Sequence, residues 1–88
     1  MMRLIWDFFG PDAEGTARHH AVHLREFMVR EGISSVTFGL GYEVEGHCAS
    51  WCELDAELAA RVSRVLKPQR QVDAASFRAN APFCEIEF

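Results

Sequence analysis

Apolar positions in this chain switch between a spacing of two and a spacing of three or four, and the switches mark out its elements. Arg3-Leu4-Ile5-Trp6-Asp7-Phe8-Phe9 is apolar on both alternating faces and broken by one carboxylate, Asp7. Successive strand side chains point to opposite sides, so Leu4, Trp6 and Phe8 face one way and Ile5, Asp7 and Phe9 the other. A strand that needs cover on both sides belongs in the interior of a sheet. Gly10 can end it, and Pro11 suits the first position of a helix predicted from about Pro11 to Glu31, with Gly32 as its left-handed stop. The helix has the stripe Ala13, Ala17, Ala21, Leu24, Phe27 and Met28, the spacing of a helix lying on a sheet, and Val22 and Val29 widen it.

From Ile33 the period returns to two. Val36, Phe38, Leu40, Tyr42 and Val44 alternate with Ser35, Thr37, Gly39, Gly41 and Glu43, the pattern of a half-buried strand. Glu45-Gly46-His47 marks a tight turn, and His47 to Glu53 is predicted to return as the second strand of a hairpin. Asp55 caps a second helix with Leu58, Ala59, Val62, Val65 and Leu66 as its buried stripe, stopped by Pro68. Residues 69–81 carry little pattern beyond a possible short helix over Asp73–Arg78. After Pro82, Phe83-Cys84-Glu85-Ile86-Glu87-Phe88 alternates as a final strand.

This order is that of an α+β ferredoxin-like βαββαβ sandwich. Right-handed crossovers then give a four-stranded antiparallel sheet in the order 4-1-3-2, with two helices on one face. Acylphosphatases share this size and element order. Their glycine-rich loop and arginine after the first strand are not found here, so that activity is not carried over.

Composition narrows the function. At 88 residues with 49 % hydrophobic side chains, the chain is expected to form one domain over residues 1–88, with ample core material. The net charge of −4 argues against nucleic acid, which needs clustered Lys and Arg. The local basic run Arg61, Arg64, Lys67 and Arg70 falls where cations complement a helix C-terminus. No apolar stretch reaches the roughly 18 residues of a membrane span, and the first residues lack signal-peptide features. A cytoplasmic location with three reduced cysteines is the resulting expectation. Cys48 and Cys52 on one strand stand about 13 Å apart, too far to share a zinc ion or a disulfide, and are expected to pack under the helices.

Three groups of residues could carry function. His19, His23 and Glu26 stack on one side of the first helix and offer a divalent metal site, on the face away from the apolar stripe. His20 borders that stripe as a half-buried packing residue. The third group is the sheet face away from the helices, where Ile5, Asp7, Phe9, His47, Ala49, Trp51, Glu53, Phe83, Glu85 and Glu87 are predicted to gather, too aromatic to be left in water.

The first expectation for that face is a small interaction or ligand-sensing module, homodimeric through it and anchored by Trp51, Phe9 and Ile5. Asp7 would then be held by a hydrogen bond or by Arg3 across the interface. The alternative is a small enzyme that uses Asp7 with His47 or Glu85 on a compact polar substrate, Asp7 and Glu85 lying on adjacent strands. No nucleophile with an adjacent base, phosphate-cradling loop or dense metal spacing appears, so enzyme activity has no sequence signal and no cofactor is called for.

Overall fold

A computed structural model describes residues 1–42, 44–73 and 83–85. Its elements are β1 (Met2–Phe9), α1 (Ala13–Arg30), β2 (Thr37–Gly41), β3 (His47–Leu54), α2 (Ala56–Leu66), β4 (Arg70–Asp73) and β5 (Phe83–Glu85). The strands form one sheet in the order β4-β1-β3-β2-β5, and every neighbouring pair is antiparallel. Its first four members are the expected 4-1-3-2 core of a βαββαβ sandwich.

The piece of chain that supplies the fourth strand differs from the expectation. Arg70–Asp73 pairs with Met2–Ile5 of β1, whereas Phe83–Glu85 pairs with Gly39–Gly41 of β2 at the opposite edge. Cys84 is thus paired with Leu40 and separated from β3 by β2, not by β1. Asp73 closes β4; the rest of the short helix expected to follow it, and residues 86–88 of the expected final strand, lie outside the described residues.

Both helices cover one face of the sheet. Leu4, Trp6, Cys52 and Leu54 pack with Leu24 and Met28 of α1 and Ala59 and Val62 of α2, and a second cluster joins Ala13, Ala17 and Ala21 to Leu40 and Cys48. The alanines let α1 lie close to the strands. Val22, Val29 and Val65, expected along the stripes, are exposed instead. The ends of the helices follow local chemistry. At the end of α1, Gly32 takes φ +73° and donates to the Val29 carbonyl, while Ile33 donates to that of Met28. Asp55 accepts from the Leu58 amide to start α2. Left-handed Lys67 ends α2, and Trp6 Nε1 donates to the Leu66 carbonyl at 3.0 Å, tying that last turn to β1.

β2 is shorter than its pattern suggests, because the chain turns before Val44 can join the sheet. The His47 amide donates to the Val44 carbonyl, Gly46 takes φ +76°, and the Gly10 amide donates to the Gly46 carbonyl at 2.9 Å. Tyr42 and Val44 are left exposed at the turn. No helix among the described residues is long and apolar enough to cross a membrane.

On the face away from the helices, the eight-pair register of β1 with β3 sets Arg3 opposite Glu53, Ile5 opposite Trp51, and Asp7 opposite Ala49. Arg3 and Glu53 form a buried ion pair, and the Arg3 guanidinium lies 3.8 Å from the centroid of the Trp51 ring. Breaking one half of such a pair strands a charge away from water. Glu53→Gln is expected to lose about 3 kcal/mol in urea unfolding, and Arg3→Met with Glu53→Leu to recover most of it. A loss under about 1 kcal/mol in the single variant would show that water reaches the pair.

Candidate functional site

The end of this second face, where β1, β3 and the start of β4 meet, brings chemistry together. Asp7 sits on β1 two residues beyond Ile5, the partner of Arg70, and two residues before Phe9, the partner of His47. Its carboxylate lies between the two bases. Arg70 donates from Nε to Oδ2 at 3.0 Å and from Nη2 to Oδ1 at 2.7 Å, the bidentate fork that suits a guanidinium to a carboxylate. His47 Nε2 is 2.8 Å from the same Oδ1. A carboxylate only accepts, so this ring nitrogen carries the proton. The Asp7 amide, one residue past the point where β4 could continue the ladder, donates to Gln69 Oε1 at 3.0 Å.

Depth differs within the trio. The His47 side chain is 2 % exposed, Asp7 13 % and Arg70 34 %, so the arginine is the member that faces solvent. The Phe9 ring packs against the His47 imidazole with centroids 5.0 Å apart while remaining 73 % exposed. Asp7, Phe9, Val44, His47 and Arg70 line a cleft of about 260 Å³.

Across the turn that carries Val44 lies a larger cleft of about 590 Å³, bounded by Pro11, Glu14, Tyr42, Glu45, His47 and Cys48 among others. Its polar groups serve each other. Tyr42 donates to Glu14, and that bond pushes the tyrosine hydroxyl up to about 12. Burial raises the Cys48 thiol. The Asp7–Arg70 ion pair lies on the smaller cleft, and His47 lines both.

The other sequence expectations separate in space. Ile5 and Trp51 are packed with Ala49 and Val72 and are buried within the single chain. Asp7 is held by Arg70 and His47, while Arg3 is engaged by Glu53 in the same chain. Glu85 does not adjoin Asp7. It is paired with Gly39 on the far side of β3, and Phe83 with Gly41, so neither belongs to this cleft.

His19 and His23 share a hydrogen bond between their Nε2 atoms at 2.9 Å, and Glu26 is 3.8 Å from the other nitrogen of His23. The three groups therefore do not converge on one point. Among the described residues no group of three or more His, Cys, Asp or Glu is placed to hold a metal ion. Cys48 and Cys52 are free and buried under the helices, and burial pushes the Cys52 thiol up to about 12, which leaves it a poor nucleophile.

Arg70 is the member of this cluster that sequence reasoning missed, having been assigned to the end of a helix. No family model, no curated protein and no solved structure matches the chain. The site is therefore read from its own chemistry.

On the helix side, His20 lies against the rings of Trp6 and Phe8 and shares a 2.7 Å hydrogen bond with Ser50. Burial, and then the charge of His23, lowers its pKa from 6.5. Below pH 6.5 the unfolded chain therefore takes up a proton that native His20 resists, so this residue's contribution to stability falls as the solution is acidified. The stability difference between the parent and His20→Gln is expected to shrink between pH 7 and about pH 5 in urea titrations. A constant difference would remove the linkage.

Proposed function

We propose that the protein is a small ligand-sensing module whose binding site is the cleft between Phe9, Val44 and Arg70. The observation that carries this reading is the trio itself. Asp7 and His47 hold a guanidinium in a fixed position at the mouth of a cleft, beside an aromatic ring left open to solvent. A surface ion pair that served stability alone would contribute little. Here Asp7, itself bonded to the buried His47, orients a half-buried guanidinium, which is the arrangement of a preorganised site.

The reading does not call for a homodimer built sheet to sheet, since Ile5 and Trp51 are already packed and Phe9 is the exposed aromatic that remains. A second reading, a small enzyme in which Asp7 orients His47 for proton transfer, is favoured by the 2.8 Å bond between them. It ranks lower because the imidazole is nearly sealed from solvent.

The test is an NMR screen of a mixed fragment set containing small acids, amines and neutral molecules. Binders are expected to shift the ring signals of Phe9 and His47. Those shifts should be lost in Asp7→Asn, which stays folded but loses about 2 kcal/mol of stability through its weakened bonds to Arg70 and His47. Fragments that bind only in the larger cleft, or in the apolar groove beside Val29 and Phe38, would contradict the proposal.

A further inference from the structure

We infer that His19 and His23 form a two-histidine chelate on α1 for a divalent ion that prefers right-angled ligands, Ni²⁺ or Cu²⁺, with Glu26 as a positioning carboxylate and not a third ligand. This site is independent of the cleft on the other face of the sheet. Both histidines lie within the continuous helix Ala13–Arg30, one turn apart, so the backbone sets their spacing before any ion arrives. Their Nε2 atoms stand 2.9 Å apart. The ring centroids are farther apart, at 4.4 Å, so the two rings approach by their nitrogen edges and spread behind them.

Distance selects the class of ion. With metal–nitrogen bonds of about 2.0 to 2.1 Å, two ligands at a right angle lie about 2.9 Å apart, whereas two corners of a tetrahedron lie about 3.4 Å apart. The spacing seen here is that of adjacent corners of a square, which suits Ni²⁺ and Cu²⁺ better than tetrahedral zinc. In the metal-free protein one proton lies between the two nitrogens. The ion takes the place of that proton, and each neutral imidazole then carries its proton on Nδ1.

Glu26 supports that state. Its Oε2 lies 3.8 Å from His23 Nδ1, behind the ligating ring, where a carboxylate favours a proton on Nδ1 and leaves the lone pair on Nε2. His19 is therefore the donor of the shared hydrogen bond in the metal-free protein. His20, the remaining histidine of α1, is turned to the sheet with Nδ1 bonded to Ser50 and takes no part. The site is open, since the His23 side chain is 59 % and Glu26 63 % exposed, so water fills the other positions around the ion.

The test is titration of NiCl2, and separately of ZnCl2, into the full chain without an affinity tag, with the ring signals of His19 and His23 followed by NMR. One Ni²⁺ per chain is expected to broaden both rings with a Kd on the order of tens of micromolar, and Zn²⁺ to bind about threefold more weakly. His19→Gln and His23→Gln, changes at exposed helix positions, should each weaken Ni²⁺ about tenfold or more. Glu26→Gln should weaken it about threefold and shift the metal-free His23 ring away from the Nδ1–H tautomer in its nitrogen spectrum.

Zinc bound more tightly than nickel at these two rings would overturn the right-angled assignment. Nickel held equally well after both histidines are changed to Gln, or no broadening of either ring at millimolar NiCl2 in protein whose amide spectrum is that of the folded chain, would overturn the chelate.

Discussion

The antiparallel pairing of β1 with β3, unbroken over eight residue pairs, is the constraint on which the rest of the molecule depends. Because strand side chains alternate, this one register decides two surfaces together. On the helix side it aligns Leu4, Trp6, Cys52 and Leu54 beneath α1 and α2. On the other side it brings Arg3 to Glu53 and Ile5 to Trp51, and leaves Asp7 opposite Ala49, whose small side chain cannot satisfy a carboxylate. A slip of β1 by one residue would exchange its two faces, placing Arg3 and Asp7 under the helices and leaving Glu53 without its partner. The charges on β1 and β3 thus help to fix the register that the apolar residues alone, present on both faces, would specify weakly.

Charge on the second face is handled in two ways. At one end Arg3 and Glu53 neutralise each other against the Trp51 ring, in a place closed to solvent. At the other end Asp7 is matched by Arg70 from the neighbouring edge strand and by His47 from β3, and the arginine reaches the surface. The first arrangement closes the face. The second places a half-buried guanidinium beside an exposed ring, so the two ends differ in depth: the Glu53 pair is part of the core, and the Asp7 cluster lies at the surface.

Much of this was legible in the chain's periodicity. The alternation of Arg3 to Phe9 and of His47 to Glu53 assigned each side chain to its face, and the alanine stripe located the buried side of α1. Two features were hidden for physical reasons. β4 is only Arg70-Gln71-Val72-Asp73, with one aliphatic residue, and it reads as strand only because β1 offers it a ladder. Phe83–Glu85 alternates more clearly, yet alternation does not say which edge a strand joins, and it joins β2. Misplacing that strand gave Asp7 the wrong neighbour, Glu85, and concealed its true partner Arg70. The length of β2 was overestimated for a different reason: Gly46 and its bond from Gly10 turn the chain away before the pattern ends.

The central claim is that Asp7 joins β3 to β4 through His47 and Arg70 and holds the arginine in place. Solution NMR of the imidazole and guanidinium protons examines that link directly. The expected result is a slowly exchanging His47 Nε2 proton and a slowly exchanging Arg70 Nε proton, both broadened into solvent exchange in Asp7→Asn while the amide spectrum of the sheet persists. Freely exchanging protons on both groups in the folded parent protein would contradict the account.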